Sequence, residues 1–139
     1  MSSSVSYELF QAKFLQNAQF LVDVASMTNA NPILYSTVFI NGTNISKPTA
    51  STIALASGHM YLVSYNFLYP TNSAVIQVTP RFNTVLKPQF AIGNAVNTIN
   101  GGSCTFLADA SIASIILDFI YNSPTISTPN GSVSIVQIT

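Results

Sequence analysis

The stretch Ser57-Gly-His-Met-Tyr-Leu-Val-Ser-Tyr-Asn-Phe-Leu-Tyr-Pro70 sets Tyr61, Val63, Tyr65, Phe67 and Tyr69 at every second position. Residues two apart share one face of a strand, so four aromatic rings and a valine lie in a row. Such a face aggregates unless a second sheet or a second chain covers it. The segment is therefore one layer of a packed β structure.

The rest of the chain repeats the pattern. Short apolar runs such as Gln19–Ser26, Ile33–Asn41, Ser51–Ser57, Ser73–Asn83, Lys87–Asn94, Ser103–Ala110, Ile112–Asn122 and Gly131–Thr139 are divided by turn residues, among them Asn41-Gly42, Pro70, Gly93, Asn100-Gly101-Gly102, Pro124 and Pro129-Asn130-Gly131. Eight to ten strands with little helix, at this spacing, predict an all-β, two-sheet jelly-roll sandwich. Its 139 residues suit a single domain.

Only 6% of residues are charged and the formal net charge is zero. With Ser, Thr and Asn filling the remaining surface, no basic patch is available for nucleic acid or anionic lipid, and little repulsion keeps copies apart. Every apolar run is broken well short of the roughly 18 residues a membrane helix needs, so membrane insertion is not expected. The start, Met1-Ser-Ser-Ser-Val-Ser-Tyr-Glu-Leu-Phe10, lacks the basic and apolar regions of a classical signal peptide.

The C-terminal segment Gly131-Ser-Val-Ser-Ile-Val-Gln-Ile-Thr139 carries Val133 and Ile135 on one face and Val136 and Ile138 on the other. Ile112–Tyr121 behaves likewise, with Ile116 and Ile120 opposite Ile115, Leu117 and Phe119. A sandwich covers one face of each strand, so doubly apolar strands predict a neighbouring subunit, in a trimer or larger ring. Ile135, Val136, Ile138, Ile116, Tyr61 and Tyr65 are the expected trimer-interface residues.

Residues 1–18 read as an arm ahead of a domain spanning 19–139. Phe10, Phe14, Ala18, Leu21 and Val22 fit a helical stripe better than strand alternation. Phe10, Phe14, Leu15 and Ala18 are the expected contacts of this arm with another copy.

Catalytic and metal chemistry have little to draw on. His59 is the single histidine, Cys104 the single cysteine, and Glu8, Asp23, Asp109 and Asp118 are widely spaced; no Gly-x-Ser-x-Gly elbow and no zinc or calcium pattern occurs. Asp109 opens a turn, where a carboxylate accepts backbone N–H bonds. The sequons at Asn41, Asn44 and Asn130 coincide with turns and are read as turns. No enzyme activity, metal or cofactor is expected.

Ile33–Ser46, the Ile53-Ala-Leu55 strand, Ser57–Phe67, Phe106–Phe119 and Asn130–Thr139 together resemble the tumour-necrosis-factor-like and complement-globular-head jelly rolls, above all the bacterial branch that includes the C-terminal domains of collagen-like spore-surface glycoproteins, the BclA type. The resemblance spans about residues 19–139. Its most specific piece, Gly-x-Tyr-x-(Phe/Ile/Val)-x-Tyr, is matched by Gly58, Tyr61, Val63 and Tyr65 with one extra residue after the glycine. It implies a compact homotrimer with the C-terminal strand near the threefold axis. The Gly-X-Y collagen stalk is missing from this sequence. Two functions follow as expectations. One is a structural subunit of an extracellular fibre or spore-surface appendage, its trimers joined head to tail by the arm, with an anchoring or tip protein as further partner. The other is a trimeric receptor- or glycan-binding head at the tip of a fibre or phage tail.

Overall fold

The computed structural model describes residues 16–23, 29–68, 75–94, 101–123 and 130–139. Their strands are β1 (Asn17–Val22), β2 (Asn31–Pro32), β3 (Tyr35–Asn41), β4 (Ile45–Ser46), β5 (Ile53–Leu55), β6 (His59–Leu68), β7 (Ile76–Phe82), β8 (Val85–Leu86), β9 (Ile92–Asn94), β10 (Gly101–Ala110), β11 (Ile115–Asn122) and β12 (Asn130–Gln137). One sheet has the order β10-β6-β12-β1-β3; the other has β4-β5-β11-β7-β8, with β2 beside β11 and β9 beside β7. All pairings are antiparallel. The expected two-sheet all-β jelly roll is what the chain forms.

The aromatic strand finds its cover within the same chain. Tyr61, Val63, Tyr65 and Phe67 are all buried, and the Tyr65 ring lies 4.8 Å from that of Phe119 in the facing sheet and 6.1 Å from Phe106. Tyr69 lies outside the described residues. Burying a side chain of this size contributes about 1.5–3 kcal/mol, so this row alone fixes how the two layers stack. The buried hydroxyls of Tyr61 and Tyr65 donate to the carbonyls of Ala56 and Phe90. The Tyr35 hydroxyl, equally buried, has no hydrogen-bond partner among the described residues.

Three features differ from the sequence reading. Ala18, Phe20 and Val22 alternate with Asn17, Gln19 and Leu21 along β1, so the inner row is 18-20-22 and Leu21 is left 46% exposed. A helix would have put Ala18, Leu21 and Val22 together; pairing to β12 on one edge and, with a register shift between Gln19 and Phe20, to β3 on the other offers hydrogen-bond partners on both sides instead. Ala18 therefore belongs to the sandwich and not to an arm.

Second, the run Lys87–Asn94 is not one strand. Pro88–Phe90 forms a 3-10 turn, because proline fixes φ and has no N–H to give a ladder. The stacked rings of Phe90 and Phe106, 4.5 Å apart, fasten this turn over the gap between the sheets.

Third, Ile120 on the outer side of β11 is already buried within the single chain, as are its neighbours Thr79 and Asp118. Its second apolar face needs no neighbouring subunit there. Asp118 is held by Arg81 through two parallel bonds, from Nε to Oδ1 at 2.8 Å and from Nη2 to Oδ2.

Candidate assembly interface

Tyr61, Tyr65 and Ile135, expected at a subunit interface, lie in the protomer's own core. Their odd positions in β6 and β12 point toward the second sheet, and no side-chain surface is left for a neighbour. Val136 and Ile138 do face outward, on the five-stranded sheet, with Ile138 47% exposed. Ile116, 39% exposed, faces outward from the other sheet. The structure thus brings Val136 and Ile138 together and leaves Ile116 on the opposite side. Phe10, Phe14 and Leu15 lie outside the described residues.

Around Val136 the strand registers build a continuous surface. Leu107, Leu62 and Val136 stand side by side across β10, β6 and β12, and Asn17 of β1 follows. The next row is Thr105, Ser64, Ser134, Gln19 and Phe39, and the one beyond it Ser103, Asn66, Ser132, Leu21 and Ser36. Leu107 is 50% and Phe39 40% exposed. Between Leu62, Val136, Gln19 and Phe39 runs a shallow groove of about 260 Å³. Phe39, Leu62 and Leu107 were not singled out from the sequence. Their signal is the register across five strands, which connects residues far apart in the chain.

The polar members of this face are joined sideways. Ser64 and Thr105 hydroxyls are 2.8 Å apart, Asn66 Nδ2 donates to Ser132 Oγ at 2.7 Å, and Asn41 Nδ2 donates to Asn17 Oδ1 at 2.8 Å. A polar group that already has a partner in the plane of the sheet loses less when water is removed from above it. Among the strand residues facing outward here, Asp109 alone is charged, and it sits at the end of β10. Covering this surface therefore desolvates almost no charge.

The ionisable groups are engaged locally. Asp109 Oδ1 accepts the Ser111 N–H at 3.0 Å, the turn role expected for it, and bonds with Ser111 hold its carboxyl below the usual carboxylate range. His59 Nδ1 is 3.1 Å from the Thr139 carbonyl oxygen. Cys104, in no disulfide, is half-buried on the inner side of β10, its thiol 3.9 Å from the Thr105 carbonyl oxygen. Among the described residues, no three His, Cys, Asp or Glu side chains converge on a metal position, and no helix is long and apolar enough to cross a membrane.

Burial pushes the Tyr35 phenol well above its ordinary value, with Tyr65 and Asp118 adding to the shift, and burial raises Tyr61 against an opposing hydrogen bond to Ala56. Stability from a raised tyrosine is complete below the unfolded value near 10 and is lost as pH rises through it; stability from the depressed Asp109 is present above about 3.9 and fades below. The melting temperature is therefore expected to be flat from about pH 5 to pH 9 and to fall above about pH 10. Calorimetry across that range checks it, and a step between pH 5 and 7 would contradict it.

No protein-family model and no curated protein matches the sequence. Solved structures do match the fold. The vertex protein P5 of PRD1 superposes with a TM-score of 0.66 at 14% identity, over 91% of this chain and 99% of that one. The globular domain of zebrafish complement 1qA gives 0.63 at 6% identity, over 88% and 98%. Murine APRIL gives 0.57 at 11% identity, over 88% and 99%. At these identities the likeness is one of fold, and the chain is a jelly roll of the kind seen in tumour-necrosis-factor-like proteins, complement heads and this vertex protein.

Proposed function

We propose that this chain is a non-catalytic, self-associating jelly-roll subunit at an extracellular, cell or spore surface, assembling as a trimer through the outer face of the five-stranded sheet. The observation that carries the reading is that face: Leu107, Leu62, Val136, Phe39 and Ile138 stand among hydroxyls and amides that bond to each other, with one carboxylate at its margin. Association by such a surface is driven by apolar burial and opposed by little desolvation.

The finer reading is a fibre or spore-surface appendage of the collagen-like-glycoprotein kind, in which residues 1–15 of one trimer dock on the next. Fifteen residues extend to about 50 Å, farther than the ~35 Å width of a domain of about 120 residues. Phe10, Phe14 and Leu15 would supply the apolar contacts, and three arms per trimer would raise the effective concentration. Because Ala18 is part of β1, the informative truncation stops at residue 15. Light scattering and negative-stain images of the intact chain are expected to show trimers and filaments. The chain lacking residues 1–15, or carrying Phe10→Ser with Phe14→Ser, is expected to show trimers alone. Discrete particles from the intact protein would favour a head at the tip of a fibre or phage tail, a reading to which the end-to-end match with the PRD1 vertex protein lends weight.

A further inference from the structure

We infer that the end of the sandwich from which residues 1–15 depart is the surface that meets the next copy along a filament, with Ile112 as its seating contact; the inference rests on the filament reading above. Ile112, in the turn between β10 and β11, is 96% exposed. An isoleucine is not required by any turn geometry, and this one contributes nothing to the core.

Its support is rigid. The Ser111 N–H donates to Asp109 Oδ1 at 3.0 Å on one side of it, and the Gly58 N–H donates to the Ala110 carbonyl at 2.8 Å. On the other side Asn83 braces the turn: its Nδ2 donates to the Ser114 carbonyl at 3.3 Å and its Oδ1 accepts the Ile116 N–H at 2.8 Å. The same Asn83 turn carries Val85 and Leu86, 58% and 52% exposed. The turns at 42–44, 57–58, 83–84 and 111–114 contain no Lys, Arg, Asp or Glu. A fixed apolar knob is thus held out at this end, with the Asp109 carboxylate at its base.

The occupant is a second copy, because of where the preceding chain is rooted. The Gln16 carbonyl accepts the Gln137 N–H at 2.9 Å, and its side-chain Oε1 accepts the N–H groups of Thr43 and Asn44 at 3.0 and 2.9 Å. A Cβ at Gly42, whose φ is +84°, would fall 2.2 Å from that Oε1, so this glycine makes room for the anchor. Residues 1–15 therefore leave from the end that bears Ile112. If they bridge to the next copy, the surface around their root faces it. At the opposite ends of the strands Leu34, Leu68 and Val75 are 39%, 59% and 54% exposed. Two different apolar ends make a contact that repeats without closing.

Ile112→Asp tests this. A side chain so exposed can be changed without disturbing the fold, which an unaltered melting curve would verify. The variant is expected to remain trimeric by light scattering and to need at least about a tenfold higher concentration to form filaments, with Ile112→Leu restoring the native threshold. Filaments from Ile112→Asp at the native threshold would overturn the inference and leave the filament reading standing. Trimers that never polymerise from the unaltered chain would overturn both.

Discussion

Val136→Lys is expected to give a folded, soluble monomer, and Ile135→Lys, one residue earlier in the same strand, a chain that does not fold. Ile135 is 2% exposed within the protomer, so a lysine there loses the isoleucine's packing, about 2–5 kcal/mol, and adds a buried ammonium with no partner. That sum exceeds much of the 5–15 kcal/mol by which a domain is stable. Val136 points outward, paired to Leu62 and Asn17 on a sheet face whose one charged strand residue is Asp109. A lysine there leaves the core intact, while every covering copy would have to desolvate a charge whose one opposite on the same face, Asp109, stands two strands away at the end of β10. Sedimentation and circular dichroism separate the two outcomes. A folded trimer from Val136→Lys would remove this face as the interface, and a folded protein from Ile135→Lys would contradict the assignment of β12's inner side.

The second large effect is expected at Arg81. Asp118 is 9% exposed at its side chain and Arg81 25%, and burial of the carboxylate is tolerated because the guanidinium holds both of its oxygens. Arg81→Met strands the carboxylate and should cost about 3 kcal/mol, or roughly 10 °C in melting temperature for a domain of this size. Asp118→Ala should cost less, since the freed guanidinium can turn to water. The double change Arg81→Met with Asp118→Leu should recover most of the loss, because two apolar side chains replace a pair whose attraction only offsets its desolvation. Equal losses in all three variants would mean that packing, and not the ion pair, sets stability at this position.

The sequence by itself determined what depends on neighbours two positions apart. Alternation at Tyr61, Val63, Tyr65 and Phe67, the turn signals and the near absence of charge were enough for an all-β sandwich, because side-chain direction in a strand is a local property. The same rule separated Val133 and Ile135 from Val136 and Ile138. Only the tertiary structure decided which of those faces is the core. A face is inner or outer according to what lies across from it, and the partners of β12 come from residues 17–22 and 59–68. So Tyr61, Tyr65 and Ile135 moved from interface to core, Ile120 proved to be buried by its own chain, and Ala18 joined a strand once β12 and β3 offered it hydrogen bonds on both sides. The row Leu107–Leu62–Val136 could not be read in advance for the same reason: a sheet surface is written across strands, and its register is set by pairing between distant segments.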